Sequence, residues 1–418
     1  MQITAICNPL TGIKSADVAQ IFQDQWLQTR AEQKEDTRRD HVCTIQSTHG
    51  RMTGDSGTGL ASVLFTEIGW TPEECMLLDF AQTASWNGEG VPVASSYPLG
   101  VQLRQALSEQ PQQLWMHLPR FSQCSDLGLG LLAAFIPESI PKQEDFCTDD
   151  FNYQTLAEFS SVVAKIRLEH VAAALRSALT RLRQLTQDLS VTVTYSEEQP
   201  LLGFSGIAKS WTNYGVSAQS AQRAEALFGE ISAWFEKVFA SQMLLGSPKQ
   251  MSFAGTGGGL GLLFNSLGFQ VRDLALQLAE NEVFWGKLRT AVSCSDAVFY
   301  LCEPFGAQIP QSFINVSALA AEFAVPLVLM SESSGIRRGD LPRLGLAGNY
   351  DLNPEIYLGE SCFAASSDAR SAGELTTVHA QTIQAAQANI SAQSDSTQLH
   401  LPQLLREMTA RCARTWGW

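Results

Sequence analysis

The chain has 418 residues, of which 45% are hydrophobic and 17% are charged, and its formal net charge is −14 at pH 7. Length and composition are those of a globular protein of about two or three domains. The negative charge argues against nucleic acid and anionic membrane as partners. No apolar run is long enough to span a bilayer. Nine cysteines without a C-x-x-C pair indicate reduced thiols. We therefore expect a cytoplasmic protein, and the six scattered histidines suggest no metal site.

The chain opens with a predicted strand, turn and helix. Residues 2–7 read as a buried strand, and Ser15 is predicted to cap a helix whose apolar residues recur at helical spacing. The charged stretch 30–40 is expected to be a solvated linker. Strands are predicted at 61–66 and 75–80. This opening is typical of an α/β layer.

Thr53-Gly54-Asp55-Ser56-Gly57 is similar to the nucleophile segment of trypsin-like proteases. No plausible His and Asp partner segments precede it, so it reads better as a hairpin turn.

The middle of the chain alternates strands and helices. Ser125 or Asp126 is a natural N-cap for a short apolar helix, and an active-site role for Asp126 stays an equal alternative. The further elements predicted here are a strand at 114–118, a helical region at 154–189, a strand at 190–195 and a helix at 218–239.

A glycine-rich loop follows, Ala254-Gly255-Thr256-Gly257-Gly258-Gly259-Leu260-Gly261. It is not a G-x-G-x-x-G fingerprint, because Leu260 and Leu262 stand where the last glycine is needed. It is not a Walker A loop either, because Leu262 follows Gly261. Two interpretations remain open: a tight turn where a helix packs on a neighbour, or a loop whose N–H groups hold an anion.

The C-terminal third contains a predicted strand–helix–strand unit. The strands are expected at 296–301 and 325–330 and the helix at 312–323. Such a unit favours parallel pairing with a right-handed crossover. A polar tail around 388–399 and a closing helix from Leu401 to Arg411 complete the chain.

Five blocks, in order, resemble the type 1 glycerate kinase family. They are Ser95-Ser96-Tyr97-Pro98-Leu99-Gly100, the loop around Ser122, Asp126, Gly128 and Gly130, the segment Gln199-Pro200-Leu201-Leu202-Gly203, the glycine loop, and the unit from Asp296 to Met330. The resemblance runs from residue 1 to about residue 390.

The resemblance implies an α/β protein with a two-domain glycerate kinase-like fold. Residues 1–50 and 285–390 would form a discontinuous Rossmann-like domain, residues 51–284 an inserted α/β domain, and residues 391–418 a C-terminal extension. The site would lie in the cleft between the domains. The family transfers the γ-phosphoryl group of ATP to D-glycerate with magnesium, so ATP and Mg²⁺ are the cofactors expected of an active member.

The same resemblance names the candidate site residues. Asp126 and Glu303 are the acids at catalytic positions. The residues expected to bind phosphate or another ligand are Ser96, Arg120, Ser122, Gly255, Gly257, Gly258, Gly259 and Gly261.

Several charged positions of the family are replaced. The opening aspartate and lysine correspond to Asn8 and Thr11, and the lysine of a Gln-Lys-Gly loop corresponds to Tyr214. The arginine of the catalytic turn corresponds to Pro304 or Phe305. Phosphoryl transfer depends on neutralising phosphate oxygens, so these changes predict weak or absent catalysis.

Three hypotheses follow. The first is a divergent protein, inactive or weakly active, that binds a small metabolite in the cleft or a protein partner. The second is an active kinase for glycerate or a related small hydroxy acid. The third, a dinucleotide-dependent enzyme, has no fingerprint to support it. The oligomeric state stays open between a monomer and a homodimer.

Overall fold

The structure is a computed structural model that describes residues 1–33, 40–47, 60–86, 88–119, 121–137, 148–239, 251–305, 309–352 and 401–416. The predicted turn at 53–57 and the polar tail at 388–399 lie outside the described residues. The chain divides into two compact units. Unit 1 comprises Met1–His49 and Glu282–Trp418, and unit 2 comprises Gly50–Asn281.

Nine strands are described: β1 Gln2–Cys7, β2 His41–Gln46, β3 Met76–Asp79, β4 Gln113–Leu118, β5 Ser190–Tyr195, β6 Val271–Asp273, β7 Ala297–Cys302, β8 Leu327–Ser331 and β9 Leu346–Asp351. The helices are α1 Ser15–Glu32, α2 Leu60–Ile68, α3 Phe80–Ala84, α4 Tyr97–Ser108, α5 Leu129–Ala133, α6 Leu156–Lys165, α7 Glu169–Thr186, α8 Ile207–Ser210, α9 Ala218–Phe239, α10 Leu260–Ser266, α11 Leu274–Glu280, α12 Glu282–Ser293, α13 Gln311–Glu322 and α14, residues 401–416.

Unit 1 is built on a five-stranded sheet in the order β2-β1-β7-β8-β9, with every neighbouring pair parallel. The central strands β7 and β8 are buried along their whole length, as expected of parallel strands covered on both faces. Counted within unit 1, the strand order is 2-1-3-4-5. In this order the direction of winding reverses between β1 and β7, which is where such sheets bind ligands.

Aromatic side chains form the centre of the unit 1 core. Phe22 and Trp26 of α1 lie 5.5 and 5.2 Å from the ring of Phe299 on β7. Trp416 of α14 meets the same ring edge-on at 6.5 Å. Leu405, also on α14, is completely buried in this core. Helix α14 is therefore packed into unit 1.

Unit 2 is built on a four-stranded parallel sheet in the order β3-β4-β5-β6. Its hydrophobic core consists of residues from these strands and from helices that include α5, α7, α9 and α10. The predicted α/β class with parallel sheets is confirmed in both units.

Several local predictions match and some are wrong. The strands at 2–7 and 190–195 and the helix at 218–239 lie where the sequence predicts them. The strand predicted at 61–66 is instead helix α2, in which Leu60, Val63, Leu64 and Glu67 are buried at a helical spacing. The helical region predicted at 154–189 consists of two helices, α6 and α7.

The predicted helix caps also differ from the structure. Lys14, not Ser15, is the N-cap of α1, and the Ser15 hydroxyl instead donates to Gln46 at 3.4 Å. The N-cap of α5 is Gly128, not Ser125 or Asp126. Gly128 has a φ of 78°, a left-handed conformation that a side chain disfavours, and Asp126 accepts its N–H.

Candidate functional site

In unit 1, the amide of Asn8 lies where the winding of the sheet reverses. Asn8 directly follows β1, and its backbone N–H and its side-chain Nδ2 both donate to the carbonyl of Leu301 on β7, at 3.1 and 2.7 Å. The residue is completely buried, and its Oδ1 has no hydrogen-bond partner among the described residues. A buried acceptor without a donor is unusual in a folded protein and calls for a water, an ion or a ligand group.

Next to Asn8, the turn between β1 and α1 holds a buried acid. The backbone N–H of Thr11 donates to one carboxylate oxygen of Glu332, and the Thr11 hydroxyl donates to the other at 2.9 Å. Glu332 follows β8 and is only 7% exposed. Burial raises the pKa of Glu332, and the two bonds from Thr11 oppose that rise. The turn therefore binds a buried acid through Thr11, the position where the resemblance expects a lysine.

Glu303 follows β7 at this same sheet edge and is 3% exposed. Ser333, beside Glu332, is buried, and its hydroxyl has no hydrogen-bond partner among the described residues. The carboxyl edge of the unit 1 sheet is thus lined mainly by acceptor oxygens. Such an edge suits a ligand that brings N–H or O–H donors more than one that brings phosphate.

In unit 2, Asp126 is a completely buried acid at the centre of a dense set of hydrogen bonds. One carboxylate oxygen accepts from the N–H and the hydroxyl of Ser96 at 2.8 and 3.0 Å. The same oxygen accepts from Gly130 N–H at 3.1 Å and from the Tyr153 hydroxyl at 2.6 Å. The other oxygen accepts from Gly128 N–H at 2.9 Å.

These bonds join three parts of unit 2: the N-terminal end of α4, the loop before α5, and the segment that carries Tyr153. Burial raises the pKa of Asp126, while the bonds from Ser96, Tyr153 and Gly130 act against that rise. A carboxylate has about two lone-pair positions on each oxygen, so the oxygen with four donors is fully occupied and the other keeps one position. The structure accounts for its burial through packing, and its catalytic role stays a prediction.

The two serines named with Asp126 are also engaged within unit 2. The Ser96 hydroxyl donates to Asp126 and accepts from the N–H of Leu131 at 2.8 Å. The Ser122 hydroxyl accepts from the N–H of Cys124 at 3.0 Å and shapes the loop ahead of Asp126. Of the predicted ligand residues, Arg120 lies outside the described residues.

The glycine loop is buried inside unit 2 and packs against backbone. A Cβ on Gly258 would lie 2.5 Å from the carbonyl oxygen of Cys124, and one on Gly255 would lie 2.5 Å from that of Pro200. Gly257, Gly258 and Gly259 have φ values of 64°, 73° and 96°, which only glycine adopts readily.

Several polar backbone groups of this loop already have partners. The N–H groups of Gly255, Gly257 and Gly259 donate to the carbonyls of Gln199, Pro119 and Gly255, at 2.7, 2.8 and 3.0 Å. The Gly258 carbonyl accepts from the N–H of Leu127 at 3.0 Å. The structure thus brings the glycine loop against the Asp126 loop. Gly261 is the second residue of the seven-residue helix α10 and packs on the carbonyl of Phe253.

The described residues around Asp126 do not fit a Mg²⁺–nucleotide site of the family's kind. Mg²⁺ needs hard oxygen ligands in octahedral geometry, and one carboxylate oxygen of Asp126 is fully occupied by protein donors while the other already accepts one. Across the part of the chain that the structure describes, no three His, Cys, Asp or Glu side chains are grouped to hold a metal ion. In the same ranges, no helix has the length and apolar character to cross a membrane.

The fold and these sheet edges define an α/β protein with parallel sheets whose strands end in polar residues. Neither a protein-family model nor a curated protein matches the chain. A solved structure does: "putative glycerate kinase 2 from Salmonella typhimurium LT2" superposes with a TM-score of 0.57 at 12% identity, over 99% of this chain and 98% of that one. The likeness shows that this chain has a glycerate kinase-like fold.

Proposed function

We propose that this chain binds a small metabolite at the carboxyl edge of the unit 1 sheet and has little or no glycerate kinase activity. The observation that carries the proposal is the contact between Thr11 and Glu332. A kinase needs positive charge at its phosphate site, and here the β1–α1 turn holds a buried carboxylate instead.

Electrostatics supports the loss of phosphoryl transfer. Two like charges about 4 Å apart repel by about 4 kcal/mol at the effective dielectric constant of a protein surface. An ionised Glu332 would therefore oppose a phosphoryl group at this turn. No Lys or Arg occurs in the sequence between Leu301 and Ile336, which contains the polar ends of β7 and β8. Glu303 in this segment adds to the acidic character.

The same features support binding. The unpartnered Oδ1 of Asn8 and hydroxyl of Ser333 are buried polar groups that a ligand could satisfy. Doubly wound sheets bind their ligands at the carboxyl edge where the winding reverses, and Asn8 lies there. The ligand we expect is a small molecule that donates hydrogen bonds to these oxygens.

The second candidate function is an active ATP-dependent kinase that phosphorylates glycerate or a related small hydroxy acid. The fold favours it, because the solved structure with the same fold is described as a glycerate kinase. In that case Glu303 would supply an acid, and ATP with Mg²⁺ would be required.

A coupled ADP-release assay with D-glycerate and Mg·ATP separates the two functions. We expect turnover far below about 1 s⁻¹, the lower end of the range for kinases. Turnover within that range, lost in Glu303→Gln, would establish the kinase and refute our proposal.

A thermal-shift screen tests binding. ATP, ADP and glycerate, each with and without Mg²⁺, are the first probes, because a ligand that binds the folded state raises the melting temperature. A ligand held at the unit 1 edge should lose its shift in Glu332→Gln. It should keep its shift in Thr11→Ser, the matched control that retains both donors to Glu332.

A further inference from the structure

A row of polar residues crosses the unit 2 sheet near the carboxyl ends of its strands. Asp79, His117, Thr194 and Arg272 are register partners on β3, β4, β5 and β6. Partners on neighbouring parallel strands share a face of the sheet, so all four side chains belong to one face. His117 and Thr194, in the middle of the row, are completely buried. The ligand site proposed for unit 1 includes none of these groups.

Three hydrogen bonds connect the centre of this row to the sheet edge. The Nε1 atom of Trp115 lies 2.9 Å from the Thr194 hydroxyl, and that hydroxyl lies 3.0 Å from Nδ1 of His117. Nε2 of His117 lies 3.1 Å from the hydroxyl of Ser196, the first residue after β5. Within the described ranges, these four side chains have no further hydrogen-bond partners.

We call the chain of hydrogen bonds from Trp115 through Thr194 and His117 to Ser196 the relay. The direction of each bond follows from which group has a proton to donate. An indole N–H is a donor only, so Thr194 accepts from Trp115. The single proton of the Thr194 hydroxyl then has one acceptor, Nδ1 of His117. Burial lowers the pKa of His117 to about 4, so at neutral pH the ring is uncharged and carries one proton. That proton is on Nε2, and it is donated to Ser196.

Ser196 is the last member of the relay and is partly exposed. Its oxygen accepts from His117, and its own proton has no acceptor among the described residues. We propose that Ser196 binds a ligand by donating this proton to an uncharged oxygen, and that the ligand is a neutral hydroxyl-bearing molecule. This site is argued from residues of unit 2 alone and does not depend on the proposal for unit 1.

The surrounding charges favour a neutral ligand over an anion. Glu197 and Glu198 directly follow Ser196 in the chain, and Asp79 lies in the same polar row. Arg272, at the other end of the row, is bonded to Glu280. A carboxylate or phosphate would therefore meet mainly acidic neighbours, whereas a hydroxyl group can accept from Ser196 and donate to a nearby carboxylate.

The first test is the tautomer of His117 in the full-length protein. Selective ¹⁵N labelling of histidine distinguishes a protonated Nε2 from a protonated Nδ1 by chemical shift. We expect Nε2 to carry the proton at pH 7. A protonated Nδ1 would reverse the relay and overturn the proposal, and this measurement needs no variant.

The second test compares glycerol with D-glycerate, which differ in one charged group. Saturation-transfer NMR at millimolar ligand should show glycerol bound more strongly than D-glycerate. Ser196→Ala should weaken glycerol binding about tenfold, the effect of one hydrogen bond. Ser210→Ala is the matched control, because that hydroxyl donates locally to the Ile207 carbonyl at 2.7 Å, and it should change nothing.

Two results of the second test would refute the site. One is glycerol binding that is unchanged in Ser196→Ala or absent from the wild type. The other is tighter binding of D-glycerate that is weakened in Ser196→Ala, which would show that the site selects an anion. Because neither Thr11 nor Glu332 is altered here, failure of this test leaves the proposal for unit 1 standing.

Discussion

Replacing Asp126 by asparagine tests whether this buried acid holds unit 2 together. Its oxygens accept five hydrogen bonds, four on one oxygen and one on the other. An asparagine oxygen can replace only one of the two acceptors. If the amide oxygen occupies the position that accepts four bonds, the amide NH₂ occupies the other position. It then faces Gly128 N–H, a donor that has lost its acceptor.

The loss of stability expected in Asp126→Asn has two causes. A buried donor left without an acceptor costs about 1–3 kcal/mol, and the remaining bonds weaken because a neutral amide is a poorer acceptor than a carboxylate. We expect unit 2 to lose about 3 kcal/mol of stability in Asp126→Asn. The matched control is Asp273→Asn, because Asp273 caps α11 through Leu276 N–H at 3.0 Å and asparagine caps equally well.

Hydrogen–deuterium exchange with mass spectrometry is the suitable assay, since it follows peptides of unit 2 separately from those of unit 1. A loss of about 3 kcal/mol accelerates exchange around α5 by about a hundredfold. Asp273→Asn should leave that region nearly unchanged. Exchange that is unaltered in Asp126→Asn, together with a loss of ligand binding or turnover, would show that the acid acts in a site and not in packing.

Three further predictions concern stability. Burial raises the pKa of Asp79 to about 7, above its value near 4 in an unfolded chain, so the native state holds this proton more tightly and stability falls as pH rises between those values. Urea unfolding of Asp79→Asn across this range should show a smaller fall than the wild type, and an identical pH profile would contradict the cause given. Gly258→Ala should destabilise unit 2 by several kcal/mol more than Gly215→Ala. Both glycines have positive φ, but of the two only Gly258 faces a carbonyl oxygen, that of Cys124. Equal losses of stability, measured by hydrogen exchange, would refute this. Leu405→Ala should cost unit 1 about 3 kcal/mol, as cavities in cores do, and a loss below about 1 kcal/mol would mean that α14 is dispensable for the core.

The sequence predicts the class of the fold well, because apolar runs and helical spacing carry that information locally. Strand β5 and helix α9 are examples, since each follows from its own residues. Helix α2 shows the limit. Its short run of apolar residues fits either a strand or a buried helix, and the preference is decided by what it packs against.

The candidate site was less predictable, because its properties come from contacts between distant residues. The hydrogen bonds between Thr11 and Glu332 join positions 321 residues apart, and no spacing pattern in the sequence predicts them. The relay from Trp115 to Ser196 also depends on strand register. Only the alternation of polar residues at the ends of β4 and β5 could have suggested it.

The position of β1 in its sheet has a consequence for the order in which the chain can fold. β1 lies between β2 and β7, and its partner on β7 begins at Ala297, almost three hundred residues later. Unit 2 is one continuous segment, Gly50–Asn281, and all of it emerges from the ribosome before β7 does. During synthesis β1 therefore has one edge without a partner, while unit 2 can already complete its sheet. An unpaired strand edge invites association with other chains, so a chaperone that covers β1 during this interval would raise the yield of folded protein.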